Sequence, residues 1–263
     1  MQHTIDNRGV PLRVREEGEG TDLVLVHGVG ASLEAWDEVV SCLGGGFRTI
    51  RLDLRGHGAS GKPPGPYHID DFVGDVVAVM DHFAIGSCHL AGHSLGALIA
   101  QGIALAHPRR LDRLVLLSGI AGRTDEERCR VEQRLAMVAD GIPGAHFEAS
   151  VSRWFTDDFL RRHPDVIARQ AEANRRNDPA AYAASYRVLT ETDFAERLRN
   201  ITAQTLIVTG EHDLGSNARM ARYMHATIPH SSLHILPGLK HAILTEAPDD
   251  VARLVKEFVR QDG

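Results

Sequence analysis

A serine framed by glycines, Gly92-His93-Ser94-Leu95-Gly96, lies between an apolar run and an apolar stretch of helix length. Burial alone would not choose two glycines, a histidine and a serine there. Two readings are open. One is an ordinary Gly-rich strand-to-helix turn. The other is a sharp elbow holding Ser94 away from a sheet, with the glycines letting strand and helix approach around it. The apolar helix face directly behind favours the elbow. A helix starting at Leu95 would also aim its backbone N–H groups and positive dipole end at the reacting centre.

A serine hydroxyl needs a base. The stretch LKHAILTEAP places His241 in a loop just beyond a strand-like run, and LIVTGEHDLGS places Asp213 just beyond the run before it. A histidine there could take the Ser94 proton, and a carboxylate beside it would fix the imidazole tautomer and stabilise the cation. Glu211, Glu246 and Asp53 compete for the carboxylate role, and position favours Asp213. His212 is then a flanking turn residue. The strand end at Ser118 supplies no acid.

The stretch VLVHGVGAS (24–32) admits two chemistries. Gly28-Val29-Gly30 follows a strand and precedes a helix, and Asp53 stands at about the distance a dinucleotide fold requires. The third glycine position, however, holds the bulky Leu33. The second reading is an oxyanion loop, in which the backbone N–H of Val29 faces that of Leu95 and both donate to one developing negative oxygen. His27 reads as structural.

The elements that must position these residues follow from hydrophobic patterning. Near-continuous apolar runs at 22–28, 47–56, 87–92, 111–119, 204–213 and 231–238 each end in a turn signal, which suits parallel strands covered on both faces. Helices are expected at 32–42, 69–83, 95–107, 216–227 and 248–260, the first with Ser32 as N-cap and the last starting at Pro248. The opening HTIDNRGVPLRVREEG reads as a hairpin on the sheet edge. The alternation predicts an α/β open sheet. Residues 120 to about 199 break the rhythm: they are helical in pattern, crowded with Arg, Glu and Asp, and hold no strand-like run. An insertion emerging at the carboxyl ends of a parallel sheet would cover the ligand crevice. The expected organisation is a core of 1–119 and 200–263 with a helical cap of 120–199; a solvated decoration is the alternative.

At 263 residues, with net charge −6, the chain can bury a full core and carries no basic footprint for nucleic acid. No run approaches the roughly 20 apolar residues of a membrane span. MQHTIDNRGV has no positive segment before an apolar core, so no signal peptide is expected. Cys42, Cys88 and Cys129 form no CxxC pair and read as reduced thiols of a cytoplasmic protein. His230 and His234 lie in a turn-and-strand context that disfavours a metal site.

Taken in order, HGVGAS, DLRGHGAS (53–60), GHSLGA (92–97), GEHD (210–213) and LKHAILTEAP resemble the α/β-hydrolase superfamily over essentially the whole chain. The resemblance implies an α/β-hydrolase fold with the helical lid inserted after the sixth strand. It implies the triad Ser94, Asp213, His241, in that family's chain order, and oxyanion donors at Val29 and Leu95. His57 is architectural on this reading. Within the superfamily the chain is most similar to 3-oxoadipate enol-lactonases, through SVSRWFTDDF (150–159), NDPAAYAASYRVLTETDF (177–194) and RLRNITAQTLIVTGEHD. One departure is the His27-Gly28 pair, which those lactonases often lack, and it leaves the substrate open. Arg153 and Trp154 lie where a guanidinium and an indole could hold a substrate carboxylate and acyl chain; a solvated arginine beside a packed tryptophan is the alternative.

The expected function is therefore a serine hydrolase of a small carboxylic ester or lactone, working without cofactor or metal. Carbon–carbon cleavage of a diketo acid, and amide, carbamate or thioester hydrolysis, can use the same triad. A receptor that binds a small molecule without turnover is disfavoured by the intact triad. Epoxide-hydrolase and dehalogenase chemistry is disfavoured by a serine at the elbow. The partner is a small molecule, with an anion among the candidates; a homo-oligomer is compatible with the sequence.

Overall fold

The apolar runs pair into one eight-stranded sheet. Its strands are β1 (Gln2–Asn7), β2 (Val10–Glu17), β3 (Gly20–Val26), β4 (Gly46–Leu52), β5 (Cys88–His93), β6 (Leu111–Leu117), β7 (Gln204–Gly210) and β8 (Ser231–Leu236). The computed structural model describes residues 1–139, 141, 142 and 144–260. Positions 140 and 143 of the expected cap, and 261–263 of the expected core, lie outside the described residues. Strand order is β1-β2-β4-β3-β5-β6-β7-β8, with β2 antiparallel to both of its neighbours, β1 and β4, and every other pair parallel. The first hairpin turns at Arg8 and Gly9, both at positive φ, as a tight hairpin with right-twisted strands requires.

The pleat sends alternate side chains to opposite faces. Leu23, Leu25, Val115 and Leu117 enter one apolar layer with α1 (Asp37–Leu43) and the last described helix, Pro248–Arg260. Val24, Val26, Leu114 and Leu116 enter the other, with α2 (Ile69–His82), α3 (Leu95–Ala106) and α9 (Ala218–Thr227). Coverage on both faces explains why these strands read as continuous apolar runs.

Register decides where the loops emerge. Val26 lies opposite Leu52 of β4 and opposite Gly92 of β5, so the loops after β3, β4 and β5 leave the sheet at one level. The chain passes from β3 to β4 on one side, then crosses to β5 on the other. Such a switch point opens a crevice at the carboxyl ends.

Between β6 and β7 the described chain is helical: α4 (Asp125–Ala139), α5 (Ala145–Trp154), α6 (Asp157–Arg162), α7 (Pro164–Arg175) and α8 (Pro179–Glu191). The two ends of this insertion are stitched together. Asp193 accepts the amides of Gly122 (3.0 Å) and Arg123 (3.2 Å), and buried Arg123 donates to the carbonyls of Leu189, Thr190 and Thr192 at the end of α8. A guanidinium on last-turn carbonyls is a favourable C-terminal cap.

Several expectations are corrected in detail. The segment 32–42 is a 3₁₀ turn, Leu33–Trp36, leading into α1, and Ser32 does not cap it. The Ser32 hydroxyl donates to Glu34, while Asp53 accepts the Leu33 amide at 2.8 Å. The strands also stop two to four residues before several expected ends, because His27, Asp53 and Asp213 belong to the loops.

Candidate active site

The turn after β5 forces the Ser94 backbone to φ 55°, ψ −114°. A non-glycine residue there stores of order 1–3 kcal/mol of strain, a cost that clusters at functional positions. The glycines make the turn possible by close approach: a Cβ on Gly92 would overlap the Gly96 carbonyl, and one on Gly96 would overlap the Val26 carbonyl. The Ser94 amide donates to the Leu117 carbonyl at 2.9 Å, locking the elbow onto β6. Gly28 brings the preceding loop alongside; a Cβ there would stand 3.1 Å from the Ser94 Cβ.

Asp213 and His241 meet from adjacent loops, with His241 Nδ1 2.7 Å from Asp213 Oδ2. The second carboxylate oxygen accepts the amides of Gly215 (2.8 Å) and Ser216 (2.9 Å). Burial pushes the Asp213 carboxyl up; the facing imidazole, its hydrogen bond and the two amides outweigh burial and hold it below the ordinary carboxylate value. A carboxylate fixed on both oxygens orients the imidazole and leaves Nε2 as the working nitrogen.

These residues share one cavity of about 670 Å³, within the ordinary range for small-molecule sites. Ser94, Asp213, His241, Val29, Arg153 and Trp154 all line it. Leu95 is buried behind Ser94 as the first residue of α3. The Trp154 ring centroid lies 6.3 Å from that of His241. The Arg153 guanidinium donates to the Ser150 hydroxyl.

The competing acids are committed elsewhere. Asp53 accepts the amides of Leu33 and Ala59 and pairs with Arg13 at 3.0 Å. That leaves its carboxylate fixing two loops, where the dinucleotide reading required it to face a ribose. Glu211 is exposed and accepts the Gly238 amide, and Glu246 accepts the amide and hydroxyl of Thr156. His27 bolts its loop to the next: Nδ1–H donates to the Gly28 carbonyl at 2.7 Å and Nε2 accepts the Leu54 amide at 3.0 Å. Buried His57 is held at about 3, by burial first and the neighbouring His27 second. Among the described residues no group of three or more His, Cys, Asp or Glu gathers as metal ligands, and no helix is long and apolar enough to cross a membrane.

Sequence reasoning missed two supports of the His241 loop. His93 Nε2–H donates to the His241 carbonyl at 3.1 Å, and burial, then the His241 charge, push the His93 ring to about 3. The insertion joins the same loop: the Ala242 amide donates to the Trp154 carbonyl at 2.9 Å. His93 sits inside the elbow motif, but nothing in its type announces a partner 148 residues away.

A strained serine after a central strand, a carboxylate–imidazole pair on the following loops and a switch-point cavity define a hydrolase-type site. The chain belongs to the alpha/beta hydrolase fold family, whose model matches residues 22–248. It is 28% identical to an (E)-2-((N-methylformamido)methylene)succinate hydrolase of Acinetobacter baylyi, over 93% of this chain and 92% of that protein. It is 26% identical to 3-oxoadipate enol-lactonase 2 of the same organism, over 91% and 88%. The solved enol-lactonase of Burkholderia xenovorans superposes with a TM-score of 0.86 at 26% identity, covering 99% of this chain and 100% of that one.

Proposed function

We propose that this protein is a serine hydrolase of a small carboxylic ester or lactone. The observation that carries the reading is the 2.7 Å Asp213–His241 pair opening on the same cavity as the strained Ser94. In this mechanism the Ser94 Oγ–H proton passes to His241 Nε2 as Oγ attacks the substrate carbonyl carbon. The backbone N–H groups of Val29 and Leu95 receive the negative charge that develops on the carbonyl oxygen. The imidazolium, steadied by Asp213, then gives its proton to the departing alkoxide or enolate, leaving an acyl-Ser94. Water, deprotonated by His241, attacks the acyl carbon, and the proton returns to Ser94 as the acid leaves.

The insertion supplies the cap in this reading, with 120–199 roofing a core of 1–119 and 200–263, and Arg153 and Trp154 reaching the substrate from above. The three free cysteines suit a reducing, cytoplasmic setting. The same three catalytic residues would serve carbon–carbon, amide, carbamate or thioester cleavage, so the bond is decided by assay. The test has two parts: labelling by a fluorophosphonate with the adduct mapped by mass spectrometry, and turnover of a panel of lactones, esters, amides and diketo acids. An adduct on Ser94 and turnover led by an ester or lactone are expected. Labelling that survives Ser94→Ala, or turnover confined to another bond, would overturn the reading.

A further inference from the structure

Among the described residues, two guanidiniums face the cavity with no carboxylate at ion-pair distance. Arg134 on α4 and Arg153 on α5 are half-buried and both line it. Other arginines on the same wall are neutralised: Arg130 pairs with Glu126 at 2.5 Å and Arg169 with Asp165 at 2.7 Å. Arg123, deeper, spends its guanidinium on main-chain carbonyls. Among the described residues neither Arg134 nor Arg153 lies within ion-pair distance of a carboxylate. Arg153 holds the Ser150 hydroxyl, and Arg134 lies against the Tyr186 phenol.

The two charges also feel each other. Burial first, and the Arg134 charge second, lower the Arg153 pKa. His146, packed beside them, is held at about 4 by burial and by both arginines, so it stays neutral and adds no third charge near pH 7. Asp213, the acid Arg153 senses at longer range, is already committed to His241. The cavity wall therefore carries two like charges, partly stripped of water, that repel one another. A ligand with two negative charges would relieve both the desolvation and the repulsion, whereas one with a single charge leaves one cation unmatched.

We infer that Arg134 and Arg153 form a two-point anion site, and that the substrate is a dicarboxylate carrying one carboxylate for each guanidinium beside the bond that is cleaved. The substrate role rests on the serine-hydrolase reading; the binding site does not. Two separated carboxylates fit better than one doubly charged centre, because the guanidiniums come from different helices and are anchored by different groups, Ser150 and Tyr186. The planar fork of arginine also matches a carboxylate edge on.

Isothermal titration of the purified protein at pH 7 tests this without turnover. The probes are succinate, glutarate and adipate, the monomethyl ester of each, and inorganic phosphate. At least one diacid is expected to bind roughly tenfold to a hundredfold more tightly than its monoester, the worth of one charge-assisted pair. Arg134→Gln and Arg153→Gln should each erase that gap, and the lysine variants should restore part of it. The comparison of diacid with monoester in the unaltered protein decides the matter even if a variant fails to fold. Equal binding of diacid and monoester, or phosphate binding as tightly as any diacid, overturns the inference. Fluorophosphonate labelling separates it from the function proposed above. A labelled Ser94 with no diacid preference sinks the anion site alone, and diacid binding without a label sinks the hydrolase reading alone.

Discussion

Helices α3 and α7 are each twelve residues long and both flank the cavity region, yet they are held by opposite means. α3 buries ten of its residues, from Leu95 to Ala104, against the sheet and α2. α7 buries none and carries surface ion pairs such as Arg169–Asp165. Apolar burial contributes about 25 cal/mol per Å², whereas an exposed ion pair contributes about 0–1 kcal/mol. The helix behind Ser94 is thus fixed by the core of the protein. The insertion is held by mixed means: α8 buries Tyr182, Tyr186, Val188 and Leu189 in the main apolar cluster. Polar joints add Asp193 on the amides of Gly122 and Arg123, Thr156 on Glu246, and Trp154 on Ala242. Core and insertion should therefore respond differently to substitution, with chemistry lost in the first and selectivity or modest stability lost in the second.

The largest expected effect lies in the core. Ser94→Ala should lower turnover by about four to six orders of magnitude while the melting temperature barely changes. Steady-state assay and calorimetry on one preparation check both halves; activity near that of the unaltered protein would break the contrast. Asp213→Asn should cost on the order of 10⁴ by admitting the wrong His241 tautomer. Glu211→Gln, two residues away but exposed and holding the Gly238 amide beside the His212 ring, should stay close to unaltered activity.

Stability against pH sharpens the comparison next. Burial holds His57 and His93 of the core at about 3 and His146 of the insertion at about 4, all below the ordinary value near 6.5. Between about 6.5 and 4 the unfolded chain takes protons that the folded chain refuses. Stability therefore falls as pH falls, by up to about 1.4 kcal/mol per pH unit for each ring. The melting temperature should drop between pH 7 and pH 5, and His146→Gln should flatten only the insertion's share. A melting temperature constant over that span would refute the assignment of these rings as buried and neutral.

Smaller effects belong to the joints. The Thr156 hydroxyl caps α6 by accepting the Phe159 amide and also donates to Glu246. Thr156→Ala should cost about 1 kcal/mol in chemical denaturation. Arg161→Gln removes an exposed pair with Asp158 and should stay within about 0.5 kcal/mol. A larger loss there would mean the insertion is held by its surface charges after all.

The same division governs what could be read in advance. The strands and α3 were legible because burial on both faces imposes apolar runs, and the glycines about Ser94 mark a turn that larger side chains cannot make. The residues nominated for chemistry line one cavity, apart from Leu95, which lies behind it. Strand ends were overshot, since apolar patterning does not mark where pairing stops: the run 204–213 was expected as strand, and pairing ends at Gly210. The capping role of Asp53 replaced that of Ser32 because the acceptor came from another loop. Least legible was that, among the described residues, Arg134 and Arg153 have no carboxylate at ion-pair distance. Both stand in stretches crowded with charge, and only the tertiary arrangement separates them from their neighbours' acids.

The joint between Trp154 and Ala242 has a consequence for how such a protein can be recombined. The last residue of α5 carries the acceptor for the amide next to His241, and Thr156 and Lys240 add further ties across the same seam. Exchanging α7 with that of another chain keeps these ties, loses the Gln170–Thr245 hydrogen bond and brings in a new wall. Crossing over between Trp154 and Thr156 splits a set of contacts that belong together, and the His241 loop inherits the mismatch. Viable chimeras should accordingly gather their junctions after His163 and avoid residues 152–157.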